Sequence, residues 1–139
     1  MNLKDLYSQI ITENSRNSAH RHEVEGATHT LEGVNPSCGD DIILSLRVED
    51  GVVADGGFTG SGCAISQASA SLMLDLVIGR ELDTAKRLCD IFLRMITGEV
   101  TDEELEELED AAALQGISKI PARVKCAVLS WHTLEELLD

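Results

Sequence analysis

Apolar residues recur at helical spacing near the start of the chain. Leu3, Leu6, Tyr7, Ile10 and Ile11 fall on one face and predict an amphipathic helix over 3–13. Residues 14–26 are polar and predict a loop, in which His20 and His22 read as solvent-facing side chains. A two-residue alternation then takes over. Ala27, His29 and Leu31 alternate with Thr28, Thr30 and Glu32, predicting a short edge strand. Ile42, Leu44, Leu46 and Val48 mark one face of a second strand. Asp50-Gly51 is a hairpin signal, since both positions tolerate positive φ, and Val52 to Phe58 return as a third strand. The first half thus predicts an antiparallel three-stranded meander.

The second half is helical in pattern. After Gly60-Ser61-Gly62-Cys63, small residues open a helix to about Ile78, with Ile65, Ala68, Leu72 and Leu76 as its buried stripe. Leu88, Ile91, Phe92, Met95 and Ile96 predict the next helix, ended by Gly98, and Cys89 lies beside its apolar face. Thr101-Asp102-Glu103-Glu104 is a capping box opening a short acidic helix whose contact stripe is Leu105, Leu108 and Ala112. Pro121, at a favoured first-turn position, starts the last helix. Its core face is Val124, Ala127, Val128, Trp131 and Leu138, and Cys126 falls off that stripe.

At 139 residues the chain reads as one domain, 1–139, long enough to bury a core. Eleven bases against 25 acids give a formal charge of −14, which argues against nucleic acid as a partner. The charge is uneven. Residues 102–110 hold seven acids and no base, whereas 111–134 hold Lys119, Arg123 and Lys125 and no acid. The pattern shows neither a signal peptide nor an apolar run long enough to span a bilayer. Four widely spaced cysteines, 38, 63, 89 and 126, do not make a disulfide framework. A cytoplasmic location is the expectation, with thiols free to bind metal or carry sulfur.

Three of those cysteines stand in distinctive settings. Cys38 and Asp40 put a soft sulfur and a hard oxygen two positions apart, in a turn stiffened by Asn35-Pro36 and relaxed by Gly39. Such a pair suits half of a zinc site or an iron site. Cys63 opens a helix, where the dipole favours a thiolate; it is equally readable as a small buried residue at a tight junction. Cys126 has Arg123 one turn before it and Lys125 beside it in sequence, which suit a thiolate, a persulfide or an anionic partner surface. Together Cys38, Asp40, Cys63 and Cys126 supply three sulfurs and one oxygen, enough for a tetrahedral site assembled by the tertiary fold.

Asn-Pro-x-Cys-Gly-Asp at 35–40, Gly-x-Gly-Cys-x-Ile-Ser-x-Ala-Ser at 60–69 and Ala-Arg-x-Lys-Cys-Ala at 122–127 resemble the IscU/SufU family of iron–sulfur cluster assembly proteins. The resemblance runs from Leu3 to Leu138. It implies an α+β fold of the SufE/NifU-N-like kind, a three-stranded antiparallel sheet covered on one side by helices. It also implies that the four ligands converge at one exposed end. Lys125 stands where IscU scaffolds carry histidine, and the acidic segment around 99–115 looks like the insertion of the SufU branch. Lys119-Ile120-Pro121-Ala122-Arg123 replaces the chaperone-binding Leu-Pro-Pro-Val-Lys. The SufU resemblance implies zinc held by Cys38, Asp40, Cys63 and Cys126. Cys38 is then the ligand that leaves the metal and takes persulfide sulfur from a PLP-dependent cysteine desulfurase of the SufS type, for delivery to a downstream Suf scaffold or apo iron–sulfur proteins. Arg123 and Lys125 would meet that desulfurase. The competing implication is an IscU-like scaffold building a 2Fe-2S cluster on the same ligands. A structural zinc domain for protein contacts is a third reading.

Overall fold

The computed structural model describes residues 3–17 and 19–139. Helix α1 (Leu3–Arg16) is followed by strands β1 (His29–Asn35), β2 (Asp40–Glu49) and β3 (Val52–Ser61). Helices α2 (Ala64–Val77), α3 (Leu82–Thr97) and α4 (Asp102–Glu107) come next, then a 3-10 segment Glu109–Lys119, and α5 (Pro121–Leu138) closes the described chain. The sheet order is β1-β2-β3 with both pairings antiparallel, the meander that the alternation predicts. Asp50 and Gly51 turn the β2–β3 hairpin at φ 52° and 75°. The outer stripe residues Leu3 and Leu6 lie outside the described side chains.

Ile42, Leu44 and Leu46 of β2 and Val53 and Phe58 of β3 are buried on one face of the sheet. On the other face Ile43 and Val34 remain exposed, so the helices cover one side. Each fully buried Leu or Ile contributes roughly 1.5–3 kcal/mol. That contribution fixes the register, since a one-residue slip would turn this set to water. Helix α2 lies at the centre, against α1, α5 and β3. Its burial is therefore wider than one stripe: Ser66, Ser69, Ala70, Ser71, Met73 and Leu74 are also inside.

Two elements depart from the sequence reading. The acidic helix is only six residues long, because Glu109 takes a positive φ of 52° and the chain continues as a 3-10 segment. The capping box is present as predicted, with Thr101 and Glu104 satisfying each other's backbone amides. His20 is half-buried, and its ring nitrogen lies 2.6 Å from Asp75 on α2. That contact ties the loop before β1 to the central helix, a role that local polarity could not indicate.

Candidate metal centre

Register builds the site. Asn35 and Asp40 are cross-strand partners at the open end of β1 and β2, so Pro36-Ser37-Cys38-Gly39 forms the connecting turn. Gly39 adopts φ +71°, a conformation costly for a residue with a Cβ. The turn delivers Cys38 to the start of α5, with its sulfur 3.9 Å from the Ala122 carbonyl. Cys38 is half-buried, whereas Asp40 is inaccessible. Beside Cys38 a cleft of about 460 Å³ is lined by Ser37, Cys38, Pro121, Ala122, Arg123 and Lys125.

Potential ligand atoms of Cys38, Asp40 and Cys126 all lie within 4.8 Å of one another. Cys126 is fully buried, so its distance from the apolar stripe of α5 does not leave it on an open flank. It faces the end of the sheet, where the turn covers it. Cys63 stands beside this trio, half-buried at the N-cap of α2. Its backbone amide donates to Asp40 Oδ1 at 2.8 Å, while its own sulfur lies outside the group of three. Arg123 and Lys125 are exposed on α5 and form no ion pair among the described residues.

Burial alone would raise the Asp40 carboxyl pKa. It is outweighed by hydrogen bonds from the Cys63 amide, the Cys126 thiol, the Ser66 hydroxyl and the Asn35 side chain, and the carboxyl sits below its ordinary range. Cys126 goes the other way. Desolvation, then hydrogen bonding with Cys38, Asp40 and Cys63, pushes its thiol far above the ordinary range. A cation entering the trio would have to displace that proton. Cys89 is separate: buried between α3 and α5, it donates to the Trp131 carbonyl at 3.8 Å, and burial pushes its thiol up as well.

Sequence reading missed the groups around Asp40 and Cys126. Asn35, taken as a turn former, is 5% exposed and aims its amide at Asp40 Oδ2 (3.3 Å) and Cys126 Sγ (3.7 Å). Ser66, one of the small residues that open α2, donates to Asp40 Oδ1 at 3.2 Å. The available signal was a run of hydroxyls in the otherwise apolar start of α2.

The sequence profile of the NifU-like N-terminal domain matches residues 6–127. An iron–sulfur cluster assembly scaffold protein IscU of Thermotoga maritima is 44% identical over 138 residues, covering 99% of this chain and 96% of the relative. The chain belongs to the IscU/SufU family. The zinc-dependent sulfurtransferase SufU of Bacillus subtilis is 40% identical, over 97% of this chain and 90% of its own length. The crystal structure of FiSufU, from Fervidobacterium islandicum, superposes with a TM-score of 0.90 at 33% identity, covering 99% of this chain and all of that one. Among the described residues no helix is long and apolar enough to cross a membrane.

Proposed function

We propose that Cys38, Asp40, Cys63 and Cys126 hold zinc, and that the protein accepts persulfide sulfur on Cys38 and passes it on for iron–sulfur cluster assembly. The observation that carries this reading is the convergence of two thiols and a carboxylate within 4.8 Å, with a third thiol alongside. Bond lengths of about 2.0–2.3 Å put tetrahedral zinc ligands roughly 3.5–3.8 Å apart. The donor atoms of Cys38, Asp40 and Cys126 lie near that spacing, and Cys63 would turn in to complete the set. Three soft donors and one hard donor also suit zinc chemically. The similarity to the Bacillus subtilis SufU along nearly the whole chain supports the same choice.

Bound zinc would keep the thiols deprotonated without redox chemistry of its own. Cys38 is the acceptor because it alone combines the ligand cluster with the rim of the open cleft. The Cys38 thiolate attacks the terminal sulfur of a donor persulfide. One sulfur–sulfur bond forms on Cys38 as the donor's breaks, and the donor cysteine leaves as a thiolate, with no net change in redox state. The donor is a PLP-dependent cysteine desulfurase of the SufS type; a downstream scaffold or apo iron–sulfur protein takes the sulfur onward. Arg123 and Lys125, on the same cleft, provide cations for the desulfurase surface.

The test is to incubate the zinc-loaded protein with such a desulfurase and cysteine, alkylate, and locate the added sulfur by mass spectrometry. One extra sulfur on the Cys38 peptide is expected; sulfur confined to other cysteines would refute the assignment. The relative named as an IscU scaffold, also similar along the whole chain, favours a second reading. In it the same residues receive a 2Fe-2S cluster as cargo.

A further inference from the structure

The side chain of Asn35 stands between two residues of the cluster. Its amide nitrogen lies 3.3 Å from Asp40 Oδ2 and 3.7 Å from Cys126 Sγ. Both contacts can be made at once, because an amide nitrogen carries two protons. The carboxylate fixes which way the amide points, since the reverse orientation would set oxygen against oxygen. With one N–H on Asp40, the second is left for the sulfur.

The backbone holds this amide in place. Asn35 ends β1 as the cross-strand partner of Asp40, and its carbonyl accepts from the Cys38 amide at 3.3 Å, closing the turn. Asn35 is almost wholly buried and Cys126 is inaccessible, so bulk water does not reach that sulfur. Among the described residues the Asn35 amide is the one N–H within hydrogen-bond distance of a Cys38, Cys63 or Cys126 sulfur; Cys38 Sγ is itself a donor, to the Ala122 carbonyl.

Three thiolates and a carboxylate carry more negative charge than a divalent cation neutralises. Excess charge on a sulfur shielded from water is costly unless a donor meets it. A hydrogen bond to an ionised acceptor is also stronger than one to a neutral group. The Asn35 amide is therefore better matched to Cys126 as a metal-bound thiolate than as a free thiol.

We propose that Asn35 is a positioning residue that makes Cys126 the anchoring ligand of the metal centre. Its N–H fixes the Cys126 sulfur and draws off part of the excess charge, whereas Cys38, which has no such donor, is left as the sulfur that reacts. The role of Asn35 rests on the reading that Cys38, Asp40, Cys63 and Cys126 hold zinc. Hydrogen bonds to ligand sulfurs tune metal centres, and replacing a group that orients a ligand commonly costs about 10–100-fold in metal affinity.

The test loads the full chain with Co(II) in place of zinc, reads the thiolate-to-cobalt charge-transfer band and measures affinity by competition with a chromophoric chelator. Asn35→Leu, close to asparagine in size, removes both N–H groups. It should bind the metal about tenfold or more weakly. Its band should move to longer wavelength, because a sulfur that has lost a hydrogen bond gives up electron density more readily. Asn35→Asp keeps the shape and puts oxygen where the amide nitrogen was. It should move both readouts in the same direction, and it serves if the leucine variant does not fold. A lowered melting temperature of Asn35→Leu with parent-like band and affinity would make Asn35 purely structural and overturn the proposal. Weaker binding with an unmoved band would put the effect on Asp40 instead of Cys126, and would also overturn it. Absence of any thiolate-to-cobalt band in the parent would instead overturn the zinc reading, and the role of Asn35 with it.

Discussion

The indole nitrogen of Trp131 donates to Ser69 Oγ at 2.9 Å, and Ser69 in turn donates to the carbonyl of Ala127 at 2.5 Å. Both side chains are fully buried, and Trp131 stacks on Phe92 with ring centroids 4.0 Å apart. One hydroxyl thus joins α2 to α5 one residue from Cys126. Ser69→Ala leaves the indole N–H without a partner, which costs about 1–3 kcal/mol. A lowered melting temperature and a shifted emission maximum of this single tryptophan are the expected readouts; unchanged values for both would remove Ser69 from the framework of the site.

The acidic segment is held by α3. Arg94 bonds Asp90 and Glu104, and Arg87 bonds Glu107. The Arg94 hydrogen bond, followed by the Thr101 amide, holds the Glu104 carboxyl at about 2. A carboxyl lowered in the folded state stabilises it above the unfolded pKa of about 4.3, and that stability is lost as pH falls through the folded value. Arg94→Gln should therefore melt below the parent near pH 6, and the gap should narrow as the pH is lowered toward about 3. A gap independent of pH would mean that Arg94 acts by packing alone.

Asp40 and Cys89 give opposite expectations. Asp40→Ala should keep its zinc on three thiolates while steady-state stimulation of the desulfurase falls roughly tenfold, the scale typical of lost tuning groups at metal sites. The open position is then not reclaimed after each transfer. Cys89→Ser, outside the trio, should keep both zinc content and activity. Parent-like stimulation by Asp40→Ala would count against a labile carboxylate.

Arg123 lines the cleft beside Cys38 in a chain of formal charge −14. Arg123→Glu should slow association with the desulfurase most at low salt and leave zinc content intact. A rim charge acts mainly on association rate, whereas a buried pair would cost about 2–5 kcal/mol. Titration at two salt concentrations separates these cases, and parent-like affinity at both would move the partner contact elsewhere.

The meander and most of the helices were legible because alternation and helical spacing report which face is buried. The hairpin at Asp50-Gly51 and the Thr101 capping box were legible because their chemistry is local. The burial of Cys126, off the apolar stripe of α5, was hidden, since it comes from the Cys38 turn and the sheet end, both remote in sequence. The same limit hid Asn35 and Ser66, whose partners come from other segments. The break at Glu109 was hidden too: nothing in a run of acids marks a positive φ.

The most direct test of the central claim is the metal content and visible absorption of protein purified without air. The zinc reading predicts one zinc per chain in a colourless sample, lost when Cys126 is replaced by serine. A brown sample holding iron and sulfide in place of zinc would contradict it and make the bound cluster, not transferred sulfur, the business of Cys38, Asp40, Cys63 and Cys126.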